Sequence, residues 1–262
     1  MGIRSSAVAG MFYPWEAKQL TTAVEAFLAE ARALPDAQPA KAIIAPHAGY
    51  DYSGPIAGSA YACLLNQARV VKRVILMGPS HHVPFSGVAA SHAAAFETPL
   101  GAAPVDRDAI ASLLKDGLIV ENDAAHAQEH SLEVQLPFLQ RILPDARVVP
   151  LLTGDDDFHL VATILEALWG GPETVVVVSS DLSHFNDYRT ACRLDRETAQ
   201  IIEAGQAGAV GFKQACGATP VNGLLQVAAD KGLSVATLDL RNSGDTAGSR
   251  DRVVGYGAFV FG

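Results

Sequence analysis

Three apolar runs in this sequence each end in side chains that could bind a metal ion or move a proton. In chain order, the residues that follow the runs are His47, then His81, then the pair Asp181 and His184. Imidazole nitrogens and carboxylate oxygens are common metal ligands, and a histidine beside a carboxylate is a common general acid or base. If the three runs lie side by side in the fold, these residues form a metal centre or an acid/base cluster.

Two imidazoles and one carboxylate form the ligand set of non-haem Fe(II) sites, which keep coordination positions open for substrate and oxygen. His47 and His81 are the two expected histidine ligands, because each stands at the end of an apolar run. The third ligand must then be an acidic residue, and four candidates stay open: Asp181, Glu129, Asp239 and Asp245. Asp245 lies just after a predicted strand, in a segment that is equally typical of a turn.

Asp181 stands three residues before His184, a spacing that places both side chains on one face if a helix begins here. The carboxylate could then hold one ring orientation of His184 and raise its basicity, which suits a general acid or base. The alternative is that Ser180 or Asp181 caps the start of a helix. Both interpretations can hold together.

Residues 126–130 have the H-x-x-E-H pattern of inverted zinc proteases. Such a protease needs the pattern well inside a helix, whereas here it lies at the start of a predicted helix. The protease interpretation also leaves the three strand ends unexplained. We therefore expect His126 to lie outside the metal site, and His130 to lie at its rim and assist catalysis.

The apolar runs are short and rich in β-branched residues, which is typical of strands buried on both faces. The β-α-β order predicts parallel strands with right-handed crossovers, and ligands of open α/β sheets collect at the carboxyl ends of the strands. The predicted strands cover residues 41–46, 73–78, 87–91, 147–152, 174–180, 233–240 and 253–261. The predicted helices cover residues 15–32, 53–66, 106–115, 129–143, 158–169, 188–204 and 220–229.

Length and composition favour one α/β domain over residues 1–262: 49% of the residues are apolar and 18% are charged. Together with the order of the predicted elements, we expect a mostly parallel, mixed central sheet flanked by helices. The net charge of -9 disfavours nucleic acid as a partner. The 3 cysteines form no C-x-x-C pair, which indicates reduced thiols. We find neither a signal peptide nor a run of roughly 20 apolar residues that would span a membrane, and we expect a cytoplasmic protein.

Six segments resemble the Memo family, the B protein of the prokaryotic AmmeMemoRadiSam trio. They follow the family's order across nearly the whole chain and read AVAGMFYP (7–14), APHAGY (45–50), GPSHHVP (78–84), EHSLEVQLP (129–137), SSDLSH (179–184) and VGY (254–256). The resemblance implies the fold of class III extradiol ring-cleavage dioxygenases, which use non-haem Fe(II). It also implies a radical SAM protein of the same system as a partner.

Carried over residue by residue, the resemblance assigns His47 and His81 to the metal, and Asp181 and His184 to the family's acid and catalytic histidine. Animal members carry a cysteine in the loop before the final strand, whereas that loop has no cysteine here. Asp245 falls near that place, and a carboxylate there is closer to the dioxygenase pattern. This substitution disfavours a thiolate-based copper or redox role.

The leading hypothesis is a dioxygenase-like enzyme in which the two histidines and Asp245 hold Fe(II), with zinc or copper as alternative metals. A small diol-type molecule is the expected substrate. His184 would move protons, oriented by Asp181, with His130 assisting. Two alternatives stay open: a non-catalytic metal- or partner-binding module with a vestigial site, and a metal-dependent hydrolase that uses zinc-bound water.

Overall fold

Strands and helices alternate along most of the chain in the computed structural model, which describes residues 2–31, 39–154 and 157–262. The strands of this part are β1 (Ile3–Arg4), β2 (Ala42–Ala45), β3 (Arg73–Pro79), β4 (Val88–Ala90), β5 (Ala95–Thr98), β6 (Gly101–Pro104), β7 (Val120–Glu121), β8 (Arg147–Thr153), β9 (Thr174–Ser179), β10 (His184–Asn186), β11 (Val235–Asn242) and β12 (Val253–Phe261). The helices are α1 (Ala17–Glu30), α2 (Tyr50–Ala62), α3 (Arg107–Lys115), α4 (Asp123–Ala127), α5 (Leu136–Ile142), α6 (Phe158–Leu168), α7 (Tyr188–Glu203) and α8 (Ala218–Lys231).

Four parallel strands form the centre of the large sheet, in the order β2, β9, β3 and β8. Beside β2 the sheet continues with the antiparallel strand β12, which also pairs with β10 and β11. Beside β8 it continues with β4, which pairs antiparallel with β8 and parallel with β7. The predicted α/β fold with a mixed sheet is therefore confirmed, with parallel pairing at the centre and mostly antiparallel pairing towards the edges.

Burial explains why the central strands read as continuous apolar runs. Every residue of β2 and β9 is buried, because α2 packs on β2 and α8 packs on β3 and β9. The packing between α1 and α2 is close: a Cβ at Gly58 would stand 2.4 Å from the backbone oxygen of Phe27. The parallel pairing of β2, β9 and β3 places their carboxyl ends at one edge of the sheet.

Several boundaries differ from the prediction for identifiable reasons. The single helix predicted over 129–143 becomes a 3₁₀ turn at Glu133–Gln135 followed by α5, with Pro137 in the first turn, where proline is tolerated. The short strands β1, β5 and β6 form a separate small sheet that was not predicted, because two to four residues carry little periodicity. The stop of the first helix predicted at Leu34-Pro35 lies outside the described residues.

Within residues 2–31, 39–154 and 157–262, none of the helices combines the length and the apolar character that crossing a membrane requires.

Candidate metal centre

Three donor side chains meet beyond the carboxyl ends of the central strands. His47 follows β2, His81 follows β3, and Cys216 lies just before α8. Their candidate ligand atoms all lie within 4.8 Å of one another, and Sγ of Cys216 is 3.2 Å from Nε2 of His47. The structure thus brings the two strand-end histidines together and adds a cysteine to them.

His47 is oriented by a buried hydroxyl at the end of β9. Its Nδ1 lies 2.9 Å from Oγ of Ser179, and Ser179 already donates its only hydroxyl hydrogen to the carbonyl of Ser131. Nδ1 must therefore donate, which leaves the lone pair of Nε2 free to face Cys216 and His81. Burial and the neighbouring histidines lower the pKa of His47 well below its usual value, so the ring is neutral, as a metal ligand must be.

His81 is oriented by a buried carboxylate. Its Nδ1 lies 2.8 Å from Oε1 of Glu129, and Glu129 also accepts from the backbone N–H groups of His81 and Ser131. Burial by itself would raise the pKa of Glu129, but these hydrogen bonds and the charge of His81 lower it to about 2. The ionised carboxylate can only accept, so Nδ1 of His81 donates and Nε2 stays free for a metal ion.

Cys216 presents its sulfur to the two histidines from the start of α8. Burial, together with the charge of Asp181, raises the pKa of the thiol to about 12, so the cysteine is protonated unless a metal ion displaces the proton. The next residue must be glycine, because a Cβ at Gly217 would stand 2.7 Å from the Cβ of Ser180. The loop before α8 therefore lies directly against the end of β9.

The donor set fits a transition metal ion. Two imidazoles present Nε2 atoms while their Nδ1 atoms are held by hydrogen bonds, and a thiol completes a group of three. Histidine and cysteine together suit zinc, copper and iron, whereas magnesium and calcium prefer oxygen ligands. A second group of close donors, formed by His81, Glu129 and His130, overlaps the first because it shares His81.

His130 lies at the same site as a neighbour of both histidine ligands. Its ring stacks on His81 with the centroids 4.6 Å apart and stands 5.4 Å from His47. Burial lowers the pKa of His130 to about 4, although the charge of Glu129 opposes the shift. The ring is therefore neutral near pH 7 and able to accept a proton.

Asp181 and His184 also border the site, but they are not joined in the way their spacing indicated. Oδ1 of Asp181 accepts from the backbone N–H of His47 at 2.7 Å. Nδ1 of His184 instead meets the carbonyl of Leu182 at 2.8 Å, and no hydrogen bond joins Asp181 to His184 in the described part of the chain. The helix predicted to begin here does not form, because His184 starts β10 and pairs with Val254 of β12.

Burial raises the pKa of Asp181 to about 6, against the opposing effects of the His47 N–H and the charge of His184. The predicted role of Asp181 in orienting His184 therefore falls to the Leu182 carbonyl. Asp181 itself orients the backbone at His47.

Comparison with known proteins shows the family to which this chain belongs. A model of the family described as Memo-like protein matches residues 4–260. The chain belongs to the Memo-like family. It is 33% identical to a MEMO1 family protein of Methanopyrus kandleri, with 98% of each chain covered. It is 35% identical to MEMO1 family proteins of Ignicoccus hospitalis, with 100% and 99% covered, and of Aeropyrum pernix, with 98% and 99% covered.

In this Memo-like chain the expected third ligand, Asp245, points elsewhere. It ends the 3₁₀ turn Ser243–Asp245 and accepts from the hydroxyl of Tyr188 at 2.6 Å and from the backbone N–H of Asn242 at 3.1 Å. Asp245 belongs to neither of the two groups of close donors found among the described residues. Its carboxylate caps its own turn, and the third donor grouped with His47 and His81 among the described residues is Cys216.

The other carboxylates considered at the sequence level have separate partners. Asp239 is paired with Arg241 and accepts from the hydroxyl of Ser59, while Glu129 orients His81. His126 is buried with Nε2 3.1 Å from the carbonyl of Ala89, so the H-x-x-E-H segment of this Memo-like protein does not present both of its histidines to one metal.

Cys216 was not predicted as a donor, because the third ligand was expected in the loop before the final strand. Cys216 lies in an irregular segment before α8, without the apolar run that marked His47 and His81. Beyond the Cys-Gly pair, which stands two residues before the predicted helix 220–229, no local signal marks it.

Proposed function

We propose that this protein is a mononuclear, non-haem metal-dependent oxidoreductase of the dioxygenase-like type. His47, His81 and Cys216 would hold the metal, with Fe(II) as the working ion and a small diol-type molecule as the substrate. The observation that carries the proposal is the convergence of three donors within 4.8 Å, with Nδ1 of each histidine held by a buried acceptor. Fe(II) held by these residues would supply the chemistry that activates a diol and O₂.

The residues around the donors supply proton transfer and positioning. His130 is neutral near pH 7 and stacks on His81, so it can accept a proton from a diol hydroxyl. His184 donates from Nδ1 to a backbone carbonyl, which leaves Nε2 as the atom that exchanges a proton. Asp181 holds the backbone N–H of His47 and thereby the start of the loop that carries this ligand.

A second candidate function is a copper-handling module without turnover. The thiol of Cys216, 3.2 Å from Nε2 of His47, favours it, because soft thiolate ligands select Cu(I) more strongly than a third carboxylate would. The family resemblance also supports a radical SAM protein as partner, and this part of the proposal is independent of the metal.

The test is elemental analysis of protein purified anaerobically, combined with oxygen uptake on a panel of catechols. Iron near one equivalent with catechol-dependent uptake supports the enzyme. Copper without uptake supports the handling module, and zinc without uptake supports a hydrolase.

Cys216→Ala is expected to lose the metal, whereas Cys63→Ala, which removes a thiol at the end of α2, is expected to keep it. Cys216→Asp provides the carboxylate that the dioxygenase pattern predicts and is expected to keep a harder ion with lower affinity. Full metal occupancy in Cys216→Ala would contradict the assignment of this ligand.

A further inference from the structure

Phe185 has an unusual backbone conformation next to the candidate acid/base residue His184. Its φ is 62°, and it is the one non-glycine residue with positive φ among the described residues. A bulky residue in this left-handed region is strained, and such strain concentrates where a side chain must be aimed for function. The side chain is 60% exposed, so burial of the ring does not explain the strain.

The strain comes from an irregularity in the pairing of β10 with β12. His184 pairs with Val254 and Asn186 pairs with Val253, so two steps along β10 match one step along β12. The extra residue, Phe185, is left out of the ladder. Bulges of this kind are common beside active sites, where they change the direction of a side chain.

Arg252 covers one face of the Phe185 ring, with its guanidinium carbon 4.4 Å from the ring centroid. Arg252 has no carboxylate partner in the described part of the chain. Arg250, two residues earlier, makes the matching contact with Tyr188 at 4.3 Å. Arg250, however, also lies 3.8 Å from Asp245. The charge of Arg250 is thus balanced by Asp245, whereas Arg252 keeps a positive charge without a carboxylate partner in the described part of the chain.

Phe185, whose ring Arg252 covers, follows directly after His184, which borders the candidate metal centre. Asp181, which accepts from the backbone N–H of His47 at 2.7 Å, begins the segment that leads to His184. The rings of His184 and Phe185 are 5.6 Å apart. The protein as a whole carries a net charge of -9, which repels anions. A free guanidinium beside the site therefore offers local attraction to an anionic group.

We propose that Phe185 and Arg252 form a binding subsite for a planar ring that carries a carboxylate. The ring of the ligand packs against the exposed part of Phe185, and the carboxylate pairs with the free N–H groups of Arg252. This inference rests on the proposed function, because it names the class of small molecule that the metal centre receives: an aromatic carboxylate.

The test uses benzoate and benzamide, which have the same shape and differ in charge. Binding to the full-length protein is measured by ligand-detected NMR titration, with metal content recorded for every sample. The wild type is expected to bind benzoate about threefold more tightly than benzamide, as for an exposed ion pair. Arg252→Gln is expected to abolish this preference, and Arg250→Gln, whose charge is already paired, is expected to keep it.

Equal affinity of the wild type for the two probes overturns the proposal, and so does a preference that survives in Arg252→Gln. A preference that disappears equally in Arg250→Gln shows a general charge effect and also overturns it. The metal proposal is judged separately by metal content. Loss of metal in His47→Ala together with an intact benzoate preference supports both, whereas a benzoate preference in metal-free wild type supports the subsite alone.

Phe185→Gly tests the strained residue itself. Glycine adopts positive φ without strain, so this variant is expected to melt at a higher temperature than the wild type while binding both probes more weakly. Unchanged affinity for both probes would remove Phe185 from the subsite. Phe185→Leu keeps an apolar side chain and separates loss of the ring from loss of the strain.

Discussion

Two glutamates four residues apart in one segment have opposite surroundings. Both oxygens of Glu133 are used inside the fold: the carboxylate is paired with Arg4 and accepts from the backbone N–H groups of Ala7 and Val8 and from the hydroxyl of Tyr13. Every partner is part of the N-terminal segment. Because these partners all lie between residues 4 and 13, the carboxylate anchors the N-terminal segment.

Glu129 instead accepts hydrogen bonds from His81 of the candidate metal centre and from the neighbouring Ser131. It holds His81 by the ring and by the backbone, and the free Nε2 of that ring faces His47 and Cys216. Buried polar groups that are fully paired among themselves indicate a structural role. Groups that are paired on one side and converge on a common point on the other indicate a binding site.

The largest expected effect comes from removing the carboxylate of Glu133, which tests whether its role is structural. Glu133→Ala leaves Arg4 buried without its partner, and breaking a buried ion pair of this kind costs about 3–5 kcal/mol. We expect that loss in the free energy of unfolding, measured by chemical denaturation. Glu133→Gln keeps the shape and is expected to lose less. A change below about 1 kcal/mol in Glu133→Ala would show that the cluster does not anchor the N-terminal segment.

The second change removes the orienting carboxylate. Glu129→Gln keeps the side-chain size but loses the charged acceptor for Nδ1 of His81, and loss of such a partner lowers metal affinity about 10- to 100-fold. The measurement is a competition titration with a chelator. We expect a smaller loss of unfolding free energy than in Glu133→Ala. If the two variants lose equal stability and Glu129→Gln keeps its metal affinity, the distinction between the two glutamates is wrong.

The smallest expected effect concerns Asp195, a buried carboxylate on α7 that accepts from the backbone N–H of Ser183 and has no cation partner among the described residues. Burial raises its pKa to about 6. Since the unfolded value is about 4, the folded state binds more protons between these values, and stability falls as the pH rises from 4 through 6. Well above pH 6, the full free-energy cost of keeping the ionised Asp195 carboxylate buried reduces the stability of the folded state.

Asp195→Asn removes this titration while keeping an acceptor for Ser183. We expect the variant to be about 1–2 kcal/mol more stable than the wild type at pH 7 and to show no advantage at pH 4. Denaturation curves at both pH values make the measurement. An equal difference at the two pH values would mean that ionisation of Asp195 is not its cause.

The sequence predicted those parts of the site that stand at the ends of regular elements. His47 and His81 were identified because each follows a buried run, and the parallel order of such runs determines where their ends meet. Cys216 was not, because its position depends on how an irregular segment packs against the end of β9, which no local pattern encodes. Asp245 was placed at the site by counting along a loop, and the short 3₁₀ turn directs its carboxylate back to its own backbone instead.

The stretch 129–135 orients both histidine ligands at once. Glu129 fixes the ring of His81. The carbonyl of Ser131 and the amide of Gln135 fix the Ser179 hydroxyl, which in turn fixes the ring of His47. A movement of this backbone stretch would therefore shift the hydrogen-bond partners of both imidazoles together. A designer who grafts this centre onto another scaffold must transplant the stretch as well as the ligands.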